Sequence, residues 1–330
     1  MNLPDFVSIG TVFNESMSEH PSTKSCQLSG SGLFSAGGIA TWQHNIALIA
    51  ELPPKQATEP TWIRPKVDND LLRVYFVREL SFPRTVFDTP DYKKSHGKQS
   101  YPASFGIASY YSSEKAQPLS APKKNYPNID LLTIEKLFTT LSSTIPFHIG
   151  TMLHEKQVYL CSALDRKNAR LVTLNPSSQM LQPAHLSRLV NHITNILAIF
   201  PHITQIQNLF RNHQFQLWEQ MAYLASFGPK IVVVRNEPHQ YWVYDKVSDL
   251  RWEVPWYPIE NPKLVGCGNA FGGGFSAGYA LTSDPVLATL YGAISASFAA
   301  QSHSPIDLFE TYHPLAQARL AKLTQFVQPA

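Results

Sequence analysis

The sequence predicts an α/β protein built on a central, mostly parallel sheet covered on both faces. Three observations predict it. Short β-branched or aromatic runs at residues 6–9, 72–77 and 230–234 read as strands, and the first and last are apolar enough to be buried. From residue 131 onward, segments with helical period alternate with strand-like ones, the order that lays helices over a parallel sheet. A chain of 330 residues, 44% of them hydrophobic, can fill the large core such a sheet requires.

In chain order, residues 6–9 form a buried strand ending at Gly10, and the exit GTVFNE carries Asn14 and Glu15 to the strand's end, where ligands of open α/β sheets gather. Residues 28–38, LSGSGLFSAGG, are mostly small and come before a helix carrying Ile39, Trp42 and Ile46. Residues 51–65 are proline-rich and irregular, 72–77 are a strand, and 81–124 are polar, rich in Tyr, Pro and Ser, which suits a flap; Arg84 and Asp88 there read as surface residues.

The alternating part begins with a helix at 131–141, opened by Asp130, and a strand at 146–149. Strands follow at 158–163 and 170–174, then a long helix at 183–199 with Leu186, Leu189, Val190, Ile193 and Leu197 on one stripe. Helices at 203–210 and 215–226 lead to the strand 230–234 and an antiparallel partner at 241–244. Ser283-Asp284-Pro285 starts a further helix, and 315–326 a last one.

Charge and cysteine content narrow the function classes. The 27 basic and 24 acidic residues leave a net charge of +3, and the basic residues are scattered rather than gathered in a stripe, which argues against nucleic acid. The most lipid-like run, 286–300, is about 15 residues against the ~20 needed to span a bilayer, so no membrane role is expected. Cys26, Cys161 and Cys267 are odd in number and far apart, which fits a reduced compartment, and with no secretory signal at the N-terminus the expected location is cytoplasmic.

The chemistry concentrates at 265–281, VGCGNAFGGGFSAGYAL. Gly266 and Gly268 bracket Cys267, Asn269 follows, and Gly272 to Gly274 lead into an apolar helix. Glycines let the main chain approach a ligand, and a helix start adds unpaired N–H groups and the positive end of the dipole, so an anion, phosphate first, is the natural guest. A glycine-rich helix packed tightly against its neighbours would look the same.

Competing motifs fall away. Gly274-Phe-Ser276-Ala-Gly278 matches G-x-S-x-G, but a nucleophile elbow needs a strand directly before the serine, and here the surroundings are helical. The histidines form no metal-ligand spacing, so no metal site is expected from the protein's own residues. Walker A and early Rossmann glycine patterns are absent.

A late glycine anion hole, a small-residue turn near the N-terminus and a polar flap between them resemble the ribokinase-like, PfkB-type carbohydrate kinases, over about residues 6 to 326. The run Gly266-Cys267-Gly268-Asn269-Ala270-Phe271 is similar to that family's G-A-G-D motif, and LATLYGAISASFAA to its following helix. The resemblance implies a three-layer α/β sandwich, a single domain over 1–330, with a small β-rich lid contributed mainly by about 11–40 and 66–124. It implies ATP and Mg2+ as cofactors, an anion hole at Gly266, Cys267 and Gly268, and Asn269 at the position of the family's catalytic base. Asn14, Glu15, Gly30 and Ser31 fall where the family contacts its sugar, and His202 and Gln205 fall at its metal-organising Asn-x-x-Glu motif. As in some relatives, the lid offers an edge for a homodimer.

The departures are chemical. Asn269 cannot accept a proton where the family has aspartate, Gln205 stands in place of glutamate, Glu15 in place of aspartate, and the glycine expected after the strand at 230–234 is missing from Arg235-Asn-Glu-Pro-His. The expected activity is therefore slow phosphoryl transfer to a hydroxyl of a small sugar-like or nucleoside-like substrate. The alternatives are a pseudokinase serving as a ligand-binding or interaction module, and a fold repurposed for another reaction.

Overall fold

The computed structural model describes residues 3–17, 25–51, 72–77 and 138–330. The strands are β1 (Phe6–Thr11), β2 (Phe13–Met17), β3 (Ser25–Ser29), β4 (Ile46–Glu51), β5 (Leu72–Val77), β6 (Phe147–Ile149), β7 (Val172–Leu174), β8 (Ala198–Ile199), β9 (Ile231–Asn236), β10 (Gln240–Asp245), β11 (Leu250–Pro255) and β12 (Gln328–Pro329). The helices are α1 (Ser31–Ala40), α2 (His154–Arg166), α3 (Leu186–Ile193), α4 (Ile203–Leu209), α5 (Leu217–Ser226), α6 (Cys267–Thr282), α7 (Pro285–Gln301) and α8 (His313–Thr324). Ten strands form one sheet in the order β12-β11-β10-β9-β8-β7-β6-β1-β4-β5, and β2 pairs with β3 in a separate two-stranded sheet.

From β5 across to β9 every pairing is parallel, and from β9 to β12 every pairing is antiparallel. From β4 to β9 both faces of the sheet are buried, as the composition of these strands demands. On one face Phe6, Ile231, Val233 and Val243 join a cluster with Leu33, Phe271, Phe275, Leu290 and Ile294 from α1, α6 and α7. The alternate residues Val7, Ile9, Val232 and Val234 are equally buried on the other face.

The element order of the sequence reading survives, with four corrections. Residues 158–163 are not a strand but the middle of α2, whose buried Gln157, Leu160, Cys161 and Leu164 repeat at three and four residues. Since β6 and β7 are parallel neighbours, the chain has to return the length of the sheet between them, and α2 is that crossover. The helix expected over 183–199 is shorter: a 3-10 turn at Pro183–His185 precedes α3, and Ala198–Ile199 is β8. There the backbone ladder to β7 and β9 outweighs helical period, with Leu197 N–H donating to the Val172 carbonyl and Phe200 N–H to that of Leu174.

Ile46 opens β4 rather than extending the first helix. Lastly, α1 falls within the range grouped with the lid, yet all ten of its residues are buried and it lies in the core against α6. Gly10 permits this: a Cβ there would stand 2.3 Å from Gly32 N, so β1 and α1 meet backbone to backbone.

The chain groups into two compact units, residues 1–79 with 132–330, and residues 80–131. The second unit lies outside the described residues, as do most of the lid expected at 66–124, Arg84 and Asp88, the side chains of Asn14 and Glu15, and the first part of the helix expected at 131–141. Among the described residues no helix is long and apolar enough to cross a membrane.

Candidate active site at the carboxyl ends of the strands

β1 lies between β4 and β6, so the chain runs outward to one side of β1 and then to the other. Such a reversal opens a crevice at the carboxyl ends of the strands, where open α/β sheets hold ligands. Gathered at that end are Thr11 of β1, Gly150 and Thr151 after β6, Asn175 after β7, His202 after β8, Arg235 in β9 and the start of α6.

The start of α6 is built by Gly266. Its φ of +83° is left-handed, and a Cβ would lie 2.4 Å from the Phe34 ring, so both conformation and space require glycine. No side chain caps this helix. Cys267 N–H donates to the Leu264 carbonyl at 3.3 Å and Asn269 N–H to that of Gly266 at 3.0 Å, while Gly268 N–H has no partner among the described residues. Cys267 contributes only its backbone: its thiol is buried, donates to the Lys263 carbonyl at 3.3 Å, and is pushed well above the usual thiol range by burial and then by the Glu237 charge.

The other glycines of the run do something else. A Cβ on Gly272 would stand 2.2 Å from the His148 ring, one on Gly273 2.0 Å from the Ser35 carbonyl oxygen, and one on Gly274 2.3 Å from Ser295 Oγ. The glycines of the run thus divide: Gly266 builds the helix start and Gly268 lies against the Arg235 guanidinium, while Gly272 lets α6 approach His148 of β6 and Gly273 and Gly274 let it touch α1 and α7. Ser276 lies mid-helix and is buried, which removes the nucleophile elbow.

Asn269 is held from two sides. Its Oδ1 accepts from Thr151 N–H at 3.1 Å and from Asn175 Nδ2 at 3.2 Å, and Asn175 Nδ2 also donates to the Gly268 carbonyl at 2.6 Å. Gln157 supports this platform from below, donating to the carbonyls of Gly150 and Asn175 and accepting from Ser177 N–H. Arg235 approaches Gly268 from the opposite side, with Nη1 2.0 Å from where a Cβ would be. Its Nε donates to the Phe200 carbonyl at 3.0 Å and Nη1 to Glu237 Oε1 at 2.8 Å. That fork suits arginine alone. Arg235→Lys keeps the charge but loses the geometry, and an expected cost of about 1–2 kcal/mol in urea unfolding checks it.

The remaining predicted residues divide by what their side chains already do. His202 caps α4, its Nδ1 accepting from Thr204 N–H, and Gln205 Oε1 accepts from His202 N–H to complete a capping box. Gln205 Nε2 donates to the Pro176 carbonyl and to Ser178 Oγ, so both ends of the amide are engaged in structure. Ser31 Oγ bonds Thr11 N–H at 3.0 Å and Thr11 Oγ1 at 3.1 Å. Gly30 has φ +130°, and a Cβ there would meet the Thr11 carbonyl at 2.2 Å. Asn14 and Glu15 pair with Leu28 and Gln27 across the two-stranded sheet.

Beneath the platform, His148 is fully buried with Nδ1 2.8 Å from Thr173 Oγ1, and its Nε2 has no partner among the described residues. Burial first, and the nearby Arg235 charge second, lower its pKa from 6.5 to about 3. A histidine held neutral in the fold protonates first when unfolded, so its stabilising effect is full above pH 6.5 and falls as pH drops toward 3. At pH 5 the expected loss is about 2 kcal/mol, which His148→Gln should abolish in denaturation curves measured at pH 7 and 5.

Neither protein-family models nor curated proteins give a match to this sequence. Solved structures do. Phosphofructokinase-2 from Escherichia coli, in a complex with substrates and products, superposes over 98% of both chains with a TM-score of 0.60 at 15% identity. A putative ribokinase II from Escherichia coli, in complex with ATP and Mg2+, superposes over 97% of this chain and 100% of its own with a TM-score of 0.58 at 13% identity. The chain has a ribokinase-like fold of the PfkB type.

Within this ribokinase-like chain, sequence reasoning missed Arg235, Thr151 and Asn175. Arg235 left a signal, since it opens the run Arg235-Asn-Glu-Pro-His in which the family resemblance expects a glycine and none stands. Asn175 left none beyond a strand-closing Asn-Pro, and Thr151 acts through its backbone. As for Mg2+, no group of three His, Cys, Asp or Glu side chains among the described residues could hold a metal ion, and both polar ends of the Gln205 amide are already hydrogen-bonded within the fold. The described residues therefore do not fit a protein-built metal centre.

Proposed function

We propose that the chain binds a nucleoside triphosphate, ATP by its resemblance, with the terminal phosphate at Gly266–Gly268, and transfers that phosphate slowly to a hydroxyl of a small sugar-like or nucleoside-like molecule. The observation carrying this reading is the uncapped start of α6, with Gly268 N–H unpartnered among the described residues and the Arg235 guanidinium beside it, at the carboxyl ends of the sheet. Phosphoryl transfer depends on positioning and on neutralising the charge of a loose transition state, and backbone N–H groups with a guanidinium supply both. Asn14, Glu15, Gly30 and Ser31 are the proposed acceptor side, and β2 with β3 the proposed contact for a second copy. A divalent cation, Mg2+ by the resemblance, would enter with the phosphates rather than on a carboxylate cluster.

Slowness follows from residue 269. An amide takes no proton from the acceptor, and a general base is worth about 10²–10⁴ in rate. Incubating the purified chain with γ-labelled ATP and a panel of sugars and nucleosides should give transfer well below ordinary kinase rates of about 1–100 s⁻¹. No nucleotide binding and no transfer across the panel would overturn the proposal. A second reading, a pseudokinase that binds ligand without turnover, is favoured by the engagement of both the Asn269 oxygen and the Gln205 amide in holding the fold. Binding of ATP with no detectable transfer on any acceptor would select it.

A further inference from the structure

Amide side chains are ambiguous about which end is oxygen, but backbone groups are not, and two of them bracket residue 269. The Gly268 carbonyl can only accept. The Asn175 atom 2.6 Å from it must therefore be the NH2 end, and that same atom lies 3.2 Å from the Asn269 side chain. The contacted Asn269 atom must then be an acceptor. Independently, Thr151 N–H can only donate, and it points at the same Asn269 atom from 3.1 Å. Two unflippable backbone groups thus agree that Asn269 turns its oxygen inward.

Its NH2 is left as the outward end, and it donates to no described residue. Asn175 is 1% exposed, so water cannot stand in for it as a donor. Gln157 holds the Asn175 backbone carbonyl at 2.6 Å, which keeps the second asparagine in place. We infer that Asn175 is a positioning residue that locks Asn269 with its NH2 facing the crevice, making residue 269 a hydrogen-bond donor for an anionic oxygen such as a phosphate oxygen. With Gly268 N–H and Arg235, the start of α6 then presents a set of donors to its ligand. The orientation stands by itself; the phosphate as its recipient rests on the proposed nucleotide reading.

Two measurements on the full chain test the two halves separately. In Asn269→Asp the installed carboxylate accepts from Thr151 N–H and from Asn175, so its titration, followed by carbon-13 NMR, should fall below the ordinary ~3.9. Adding Asn175→Ala should raise it by about one unit, with Asn175→Ser as the substitute if the alanine variant does not fold. A carboxyl whose titration is the same with and without the Asn175 side chain overturns the positioning role. In the parent chain, labelled with nitrogen-15 asparagine and glycine, inorganic phosphate or ATP should shift both the Asn269 side-chain NH2 pair and the Gly268 backbone amide. A shift at Gly268 alone overturns the donor role. If neither resonance moves at saturating ATP, the nucleotide reading and the donor role to phosphate both fail, while the carboxyl titration still decides the orientation.

Discussion

Asn269→Asp is expected to raise the rate of phosphoryl transfer by about 10²–10⁴, equivalent to about 3–5 kcal/mol of barrier. The surroundings already accommodate the change. Thr151 N–H and the Asn175 NH2 both donate toward the inward oxygen, and neither can distinguish an amide oxygen from a carboxylate oxygen. The swap is nearly isosteric, so the platform beneath need not move. What changes is the outward end, from a donor to an oxygen able to take the acceptor's proton. The same change places a negative charge at the anion site, so the nucleotide KM should rise while kcat rises. Steady-state release of ADP, with parent and variant compared on the best acceptor, measures both. Equal kcat values would mean that residue 269 is not where the missing base belongs.

Gly273→Ala is expected to destabilise the chain by about 3 kcal/mol or more, the upper end of overpacking costs. A Cβ at this position would stand 2.0 Å from the Ser35 carbonyl oxygen and 3.1 Å from Ile39 N. Both are backbone atoms of α1, which is buried along its whole length and cannot slide away without dragging β1, because Gly10 and Gly32 hold the two backbones together. A flexible side chain would yield; a helix backbone does not. Urea unfolding with parent and variant at one pH reads the cost as a shift in midpoint. Gly268→Ala, whose nearest obstacles are all at the guanidinium end of the Arg235 side chain, should cost less, because the tip of a long side chain can adjust. Equal costs at the two positions would contradict this distinction between backbone and side-chain contacts.

Much of the sheet was legible because its strands are short, apolar and β-branched: β1, β5, β7 and β9 announce themselves locally. The start of α7 was legible for the same reason, since Asp284 accepts from Val286 and Leu287 N–H just as an N-cap before proline should. Residues 158–163 misled because Val, Tyr, Leu and Cys in a row look like a buried strand, and only the parallel pairing of β6 and β7 shows that a crossover helix has to pass there. Ala198–Ile199 misled in the opposite direction, being joined in sequence to a helical stripe and removed from it by the ladder on either side.

At the site, glycine identity marked where the main chain approaches something, and it could not tell a ligand from another helix. Tertiary structure divided the glycines, giving Gly266 to the helix start and Gly273 to the contact with α1. Nor did a glutamine at position 205 disclose whether its amide is available, which depends on Pro176 and Ser178 arriving from another strand end. By itself the sequence determined that this is an α/β chain with a glycine-built helix start near its end and no proton acceptor at residue 269. Only the fold decided which way Asn269 faces, because its orientation is set by Thr151, more than a hundred residues earlier, and by Asn175, and hydrogen-bond direction is a property of partners rather than of one residue.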